Sequence, residues 1–366
     1  MIMDYFHAVR RPNIARHART EARKEGLETR RIRRYLPGIQ LIVPFLILAV
    51  AFAIAFGIVM RRSQWDGVGQ YGILVVTNHP NQSAKSLAIL IVRGKENTAT
   101  LMPLPDTLLV ETLHGYGQYK ASSLFGLAEL EKLPPTFVGQ TLGFQFGVSI
   151  QDFIEILHDS QSSSQSGPQS DQPMSPSTLQ QMLAKSLLFR LPSSLSYSDR
   201  YKLWKFFGSM RKDQLSVIDA LSSSLVKPLD QHPKDELLYM PDFLKLDAFV
   251  ISVFADPELR KEDQAIAVVN TTGETRLATR VARVLNLMGY DVVNIAQNPN
   301  TIEKTRLDVK QKELFSTKTV RALQAFFQLG TKEIFVSQQH AIEYRADMVL
   351  FLGADTAALL KQSSSQ

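Results

Sequence analysis

Positions 38–60 form an unbroken stretch of 23 uncharged residues. As a helix rising about 1.5 Å per residue, such a stretch matches a hydrocarbon core of roughly 30 Å. No other segment of the chain comes close, so one transmembrane helix is predicted there. The first 37 residues carry ten Lys/Arg against four acids, a net charge of +6. Only Arg61 and Arg62 follow the stretch closely. The positive-inside bias therefore puts residues 1–37, a basic tail, in the cytoplasm and residues 63–366 outside the cell membrane. A cleaved signal peptide fits poorly. The basic region is too long, the apolar run exceeds a signal core, and no small-x-small site precedes Arg61.

The whole chain also has a formal charge of +6, so the remaining 329 residues balance, 31 basic against 31 acidic. A pI near 9.3 would ordinarily suggest nucleic acid. Here the excess lies beside the membrane, where topology and anionic headgroups explain it. The chain has no cysteine, which excludes disulfides, thiol nucleophiles and Cys-ligated zinc. Its seven histidines are scattered without metal-ligand spacing, so no metal site is expected.

After the span, 71–77 and 86–93 are short β-rich runs bounded by turn residues. Residues 98–102 read as a third strand, paired with the second across a turn at 94–97, and 107–111 as its continuation. Residues 121–132 and 148–158 have helical spacing, with 140–146 as a Gly/Phe-rich connection. Residues 159–178 are Ser-rich and almost free of apolar side chains, which predicts a flexible, disordered loop. Helices follow at 178–189 and 198–209, with Trp204, Phe206 and Phe207 packing inward. The charged run 256–264 reads as a domain boundary. Beyond it, strands at 265–269, 291–296, 306–310, 333–336 and 347–352 alternate with helices at 274–288 and 318–329. That pattern implies a small two-layer α/β unit.

The blocks in this last unit resemble the LytR C-terminal domain, over 265–353. They are Ala-Ile-Ala-Val-Val-Asn-Thr-Thr-Gly at 265–273, Leu-Ala-Thr-Arg-Val-Ala at 277–282, Gly-Tyr-Asp-Val-Val at 289–293, and the pair Asn294 and Asn298. Thr271 stands where that family usually has Gly. Residues 63–255 resemble a divergent LytR-CpsA-Psr (LCP) domain. The resemblance rests on the paired strands, Leu-Pro-Asp-Thr-Leu at 104–108, the block at 115–120 and Leu-Gly-Phe-Gln-Phe at 142–146. It implies an α/β fold behind a membrane anchor. It also implies transfer of polyprenyl-pyrophosphate-linked glycopolymers to the cell wall, with Mg²⁺ and an Arg/Asp cluster on the pyrophosphate.

Departures from that pattern argue against catalysis. The metal-binding Asp is missing from Ala-Lys-Ser-Leu at 84–87, and Pro105 replaces the pyrophosphate-binding Arg. Only Asp106 and Lys120 survive at matching positions, with Arg93 or Lys85 as substitutes. Since losing one preorganised donor costs on the order of 10² to 10³ in rate, the reading is a degenerate, non-catalytic member with no cofactor. It would bind cell-wall glycan, a polyprenyl-linked precursor or a protein partner in the cell envelope. The alternatives are an active phosphotransferase, which would need Mg²⁺, and a membrane-bound transcriptional regulator. The absence of a helix-turn-helix pattern in the tail argues against nucleic acid.

Each candidate site has a plainer reading. Asp106 and Lys120 could hold a phosphate with the 115–117 loop, or Asp106 could close a turn after Pro105. Asn270, Thr272 and Gly273 lead from a strand into a helix and could bind an anion, or simply form a turn with Thr272 or Glu274 capping. Gly67, Gly69 and Gly72 match Gly-x-Gly-x-x-Gly, but a membrane helix precedes and a strand follows, so the stretch reads as linker. Phe125, Phe137, Phe144, Phe146 and Phe153 could line a lipid groove or be ordinary core.

Overall fold

In the computed structural model, the described residues are 44–48, 50, 63–78, 85–157, 175–189, 192–229 and 237–361. Most of the predicted transmembrane stretch falls outside this set, and the basic tail and residues 159–174 of the predicted loop lie wholly outside it. Among the described residues no helix is long and apolar enough to cross a membrane. The chain divides at Arg62, and the fold below is that of Ser63–Gln366.

Short continuous apolar runs make the first strands, as expected: β1 (Gln70–Asn78), β2 (Lys85–Arg93) and β3 (Thr98–Pro103). β1 and β2 pair antiparallel in the register Gln70↔Arg93, and β2 pairs antiparallel with β3. The predicted continuation of β3 instead leaves the sheet, because β4 (Leu109–Glu111) pairs with β5 (Gln118–Lys120) as a separate ribbon.

Helix α1 (Leu124–Leu130) lies within the helix predicted at 121–132. The segment expected to be a connection is helix α2 (Thr136–Phe146). Its signals were local. Two prolines precede it, and Gly147 ends it in the left-handed conformation at φ 65°. The segment expected to be helical becomes strand β6 (Asp152–Leu157), paired parallel to β1. Its short apolar run suits either state, and the open edge of β1 decides.

Helices α3 (Pro176–Phe189) and α4 (Tyr197–Ser209) follow, so the last residues of the predicted loop already belong to a helix. β7 (Leu215–Val217) completes a mixed sheet of order β6-β1-β2-β3-β7. Pleating sends Leu74, Val76, Ile89 and Ile91 to one face, against Phe137, Leu142 and Phe146 of α2. It sends Tyr71, Ile73, Val75 and Leu90 to the other, against Leu179, Leu183, Leu203 and Phe207 of α3 and α4. Phe206 and Phe207 are buried as predicted, while Trp204 is on the surface.

A second ribbon, β8 (Val226–Pro228) with β9 (Tyr239–Pro241), precedes α5 (Phe243–Val253). The charged run expected as a boundary contains helix α6 (Pro257–Glu262), capped by the Asp256 carboxylate, which accepts from the Glu258 N–H at 2.9 Å.

The C-terminal module comprises β10 (Ala265–Asn270), α7 (Leu277–Met288), β11 (Asp291–Gln297), β12 (Arg306–Val309), α8 (Lys318–Phe327), β13 (Ile334–Val336), α9 (Gln338–Tyr344), β14 (Met348–Leu352) and α10 (Ala354–Leu359). The sheet order is β11-β10-β14-β12-β13, with only the β12–β14 pairing antiparallel. α7 and α8 cover one face. Tyr344 of α9, unpredicted, packs on Ala267, Val269, Val349 and Phe351 of the other, so the expected two layers gain a partial third.

The two sheets share a core. Phe146 and Val148 belong to the same apolar cluster as Leu285 and Leu287 of α7. Contact there is so close that a Cβ on Gly147 would lie 2.4 Å from Leu287. Polar ties reinforce it. Lys318 at the start of α8 pairs with Asp256 at 2.6 Å, and Glu262 accepts the backbone N–H groups of Lys318 and Thr319 at 2.7 Å each.

Candidate functional site

Lys85 opens β2, and Asp106 lies in the turn after β3. The Ser86 hydroxyl donates to the Asp106 carboxylate at 3.2 Å, and Asp106 is solvent-exposed. The Lys85 ammonium pairs with Glu155 of β6 at 3.1 Å and sits 4.9 Å from the centre of the Phe125 ring, which packs edge-on against Phe153. Lys120 ends β5 and is joined to Asp106 through the backbone, since the next residues, Ala121 and Ser122, donate to the carbonyls of Leu108 and Asp106. The 115–117 loop is closed on itself: the Gly117 carbonyl accepts both the N–H and the hydroxyl of Thr112. This corner therefore gathers Lys85, Asp106 and Lys120, but its most enclosed cation is already neutralised by a carboxylate.

Those residues do not suit Mg²⁺. A hard cation wants six or so oxygens, and here an ammonium group stands where the resemblance calls for a carboxylate. Among the described residues no group of three or more His, Asp or Glu side chains is placed to hold a metal ion.

Arg93 does not join the corner. It closes β2 at the opposite end from Lys85, roughly 26 Å away at about 3.3 Å per residue. There its guanidinium donates to Gln70 and to the carbonyls of Val253 and Ala255, holding the end of α5.

Asn270, Thr272 and Gly273 form the plainer of their two arrangements. The Asn270 side-chain oxygen Oδ1 accepts from the Thr272 N–H at 2.9 Å and its hydroxyl at 2.8 Å, while the side-chain Nδ2 donates to the Glu274 carbonyl at 2.8 Å. Asn270 and Thr272 are buried. Helix α7 starts only at Leu277, after Arg276 in the left-handed region at φ 60°, so neither Thr272 nor Glu274 caps it. Thr271, in the unusual position, donates its hydroxyl to the Leu352 carbonyl at 2.7 Å and ties β10 to β14.

The aromatic zone does not form one groove. Phe137 and Phe146 are buried in the shared core, Phe125 lies beside Lys85 with Phe153 packed on its ring, and Phe144 lines a separate cleft.

Phe144 lines a cleft of about 570 Å³ that the sequence reading missed. Its walls are Phe144 and Gln145 of α2, Phe243, Leu244 and Asp247 of α5, and Arg280 and Arg283 of α7, with Glu111, Leu113, Leu360 and Lys361 at the margins. Arg283 grips Asp247 in a two-pronged pair, Nε to Oδ2 at 2.7 Å and Nη2 to Oδ1, and lies 4.8 Å from the Phe243 ring centre. Arg280, one turn earlier, spends one donor on the Leu360 carbonyl at 2.9 Å, and its Nε has no hydrogen-bond partner among the described residues. Among the described residues no Ser, His or Cys lines the cleft, and the hydroxyl of Thr112 there is bonded to Gly117. Apolar walls beside the guanidinium groups of Arg280 and Arg283 suit an anion carrying an apolar part. The available signal was Arg280 and Arg283 at helical spacing, which puts both on one face of α7.

Residues 263–355 match a family described as the LytR cell envelope-related transcriptional attenuator, as the resemblance over 265–353 led us to expect. That match supports a cell-envelope protein. Among solved structures, the chain is similar to TagT of B. subtilis, at 15% identity over 52% of this chain and 92% of that one, with a TM-score of 0.36. It is similar to B. subtilis TagV at 8% identity over 61% and 98% of the two chains, with a TM-score of 0.36. A third is YwtF (TagT), described as a LytR-CPS2A-psr family protein with bound octaprenyl pyrophosphate lipid, at 13% identity, 52% and 91% coverage, and a TM-score of 0.35. No curated protein sequence matches the chain.

Proposed function

We propose that this is a membrane-anchored protein of the LytR-CpsA-Psr type that binds, without chemical turnover, a polyprenyl-linked envelope precursor. Residues 38–60 span the membrane once, with the N-terminus in the cytoplasm and Ser63–Gln366 on the outer side. The cleft, rather than the Lys85–Asp106 corner, takes the ligand. The observation that carries this reading is Arg280, a guanidinium that lines the cleft with Phe144, Phe243 and Leu244 and has no carboxylate partner among the described ion pairs. The corner lacks the positive excess that a pyrophosphate needs, because Glu155 already occupies Lys85.

The test incubates the full chain with a labelled polyprenyl-pyrophosphoryl sugar, Mg²⁺ and a peptidoglycan acceptor. Saturable retention of the lipid, weakened by Arg280→Gln, with no release of polyprenyl phosphate, is the expected result. Release that Lys120→Ala abolishes would instead establish an active phosphotransferase at the corner.

A further inference from the structure

Helix α4 presents an aromatic row to the outside. Tyr197, Tyr201 and Trp204 recur at the four- and three-residue spacings that share a helix face, and they are 49%, 51% and 37% exposed. The Tyr201 and Trp204 rings lie 6.0 Å apart. Lys205 extends the same face, and Arg211 and Lys212 follow just beyond the helix, all exposed. The buried face of α4 is used by Leu203, Phe206 and Phe207, and apart from the Arg200 guanidinium, 5.5 Å from the Tyr197 ring centre, the row turns outward.

The same helix holds the first described residues after position 62. The Ser63 hydroxyl donates to the Asp199 carboxylate at 2.5 Å, which also accepts the N–H groups of Gln64 at 3.0 Å and Trp65 at 3.1 Å. Lys202, one turn on, donates to the Ser63 hydroxyl at 2.9 Å and to the Trp65 carbonyl. The uncharged stretch ends at position 60. Three residues extend at most about 11 Å.

We infer that the exposed face of α4 rests on the lipid surface, with Tyr197, Tyr201 and Trp204 at headgroup depth and Lys205, Arg211 and Lys212 on anionic phosphates. This rests on the reading that 38–60 spans the membrane, because the short tether then brings Asp199 and its helix to the bilayer. Tyr and Trp suit that depth, having an apolar ring and a polar tip. The basic residues complement an anionic leaflet.

The chain's two tryptophans make the test direct, since Trp65 is buried at 3% exposure. The full chain is reconstituted into phosphatidylcholine–phosphatidylglycerol vesicles whose acyl chains carry bromine near the headgroup. Vesicles are floated on a gradient and tryptophan emission is compared with that in unbrominated vesicles. Quenching that disappears in Trp204→Phe, while flotation is unchanged, is the expected result. Flotation without quenching, or quenching that persists in Trp204→Phe, overturns the inference and leaves the spanning reading intact. A second copy of the chain covering this face gives that unquenched result. Failure to float overturns the spanning reading and the inference with it.

Discussion

The Lys85 corner and the Arg280 cleft are built from the same parts and end in opposite states. In each, a cation lies over a phenylalanine, Lys85 on Phe125 at 4.9 Å and Arg283 on Phe243 at 4.8 Å. Each cation also has a carboxylate, Glu155 for Lys85 and Asp247 for Arg283. The corner has only that paired ammonium at its enclosed end. The cleft has a second guanidinium one turn away, whose planar fork is only partly used. The two regions differ in the charge that remains after internal pairing rather than in the kind of cation they hold.

Closing the cleft should have the largest effect. Gly147 joins its α2 wall to α7 and sits at φ 65° with Leu287 in the way. Gly147→Val should cost on the order of 3 kcal/mol in thermal or urea unfolding, combining overpacking with left-handed strain. Lipid retention should fall with it; unaltered stability would mean that the α2–α7 junction does not hold the cleft. Next, Arg280→Gln should weaken retention of a polyprenyl-pyrophosphoryl lipid about tenfold, the worth of one charge-assisted hydrogen bond. Equal loss with Lys85→Gln would erase the contrast between the two regions.

Freeing the paired cations should be gentler. Asp247→Ala and Glu155→Gln should each cost roughly 1 kcal/mol in urea unfolding, because both pairs are partly solvated. Asp247→Ala should tighten anionic lipid binding by leaving Arg283 free, whereas Glu155→Gln should leave binding at the cleft unchanged.

The smallest effect concerns pH. Burial raises the Glu262 pKa, but hydrogen bonds from Thr319, the backbone N–H groups of Thr319 and Lys318, and the Lys318 charge outweigh it, leaving the carboxyl below its ordinary value of 4.5. A depressed carboxyl stabilises the fold above the unfolded value and loses that contribution as pH falls through the folded one. Unfolding midpoints should therefore drop below about pH 4.5, and Glu262→Gln should flatten part of the drop, by no more than about 1 kcal/mol.

Much of the C-terminal module was legible because short apolar runs alternate there with amphipathic helices. β10, β11, β12, β13 and β14 fall within a residue or two of where alternation placed them. The misreadings lie where local pattern is ambiguous. Residues 152–157 hold a run that suits helix or strand, and pairing with β1 settles it. In 136–146, Gly139 and Gly143 hid a helix whose close packing requires small residues; a Cβ on Gly143 would meet the Val148 carbonyl oxygen at 2.7 Å. The corner residues Lys85, Asp106 and Lys120 were picked out through the family resemblance. Arg93 was misplaced because spacing along a strand does not say which end faces the site.

By itself the sequence determined the strand-and-helix alternation of the C-terminal module, the identity of that module and the neutral charge of 38–366. Each is written in nearest-neighbour periodicity or composition, which survives without tertiary contacts. The tertiary structure alone decided which cations are spent. Lys85 meets Glu155, 70 residues away, and Arg283 meets Asp247, 36 residues away. Such pairings depend on how sheets and helices pack, and a side chain's free donors are whatever that packing leaves over.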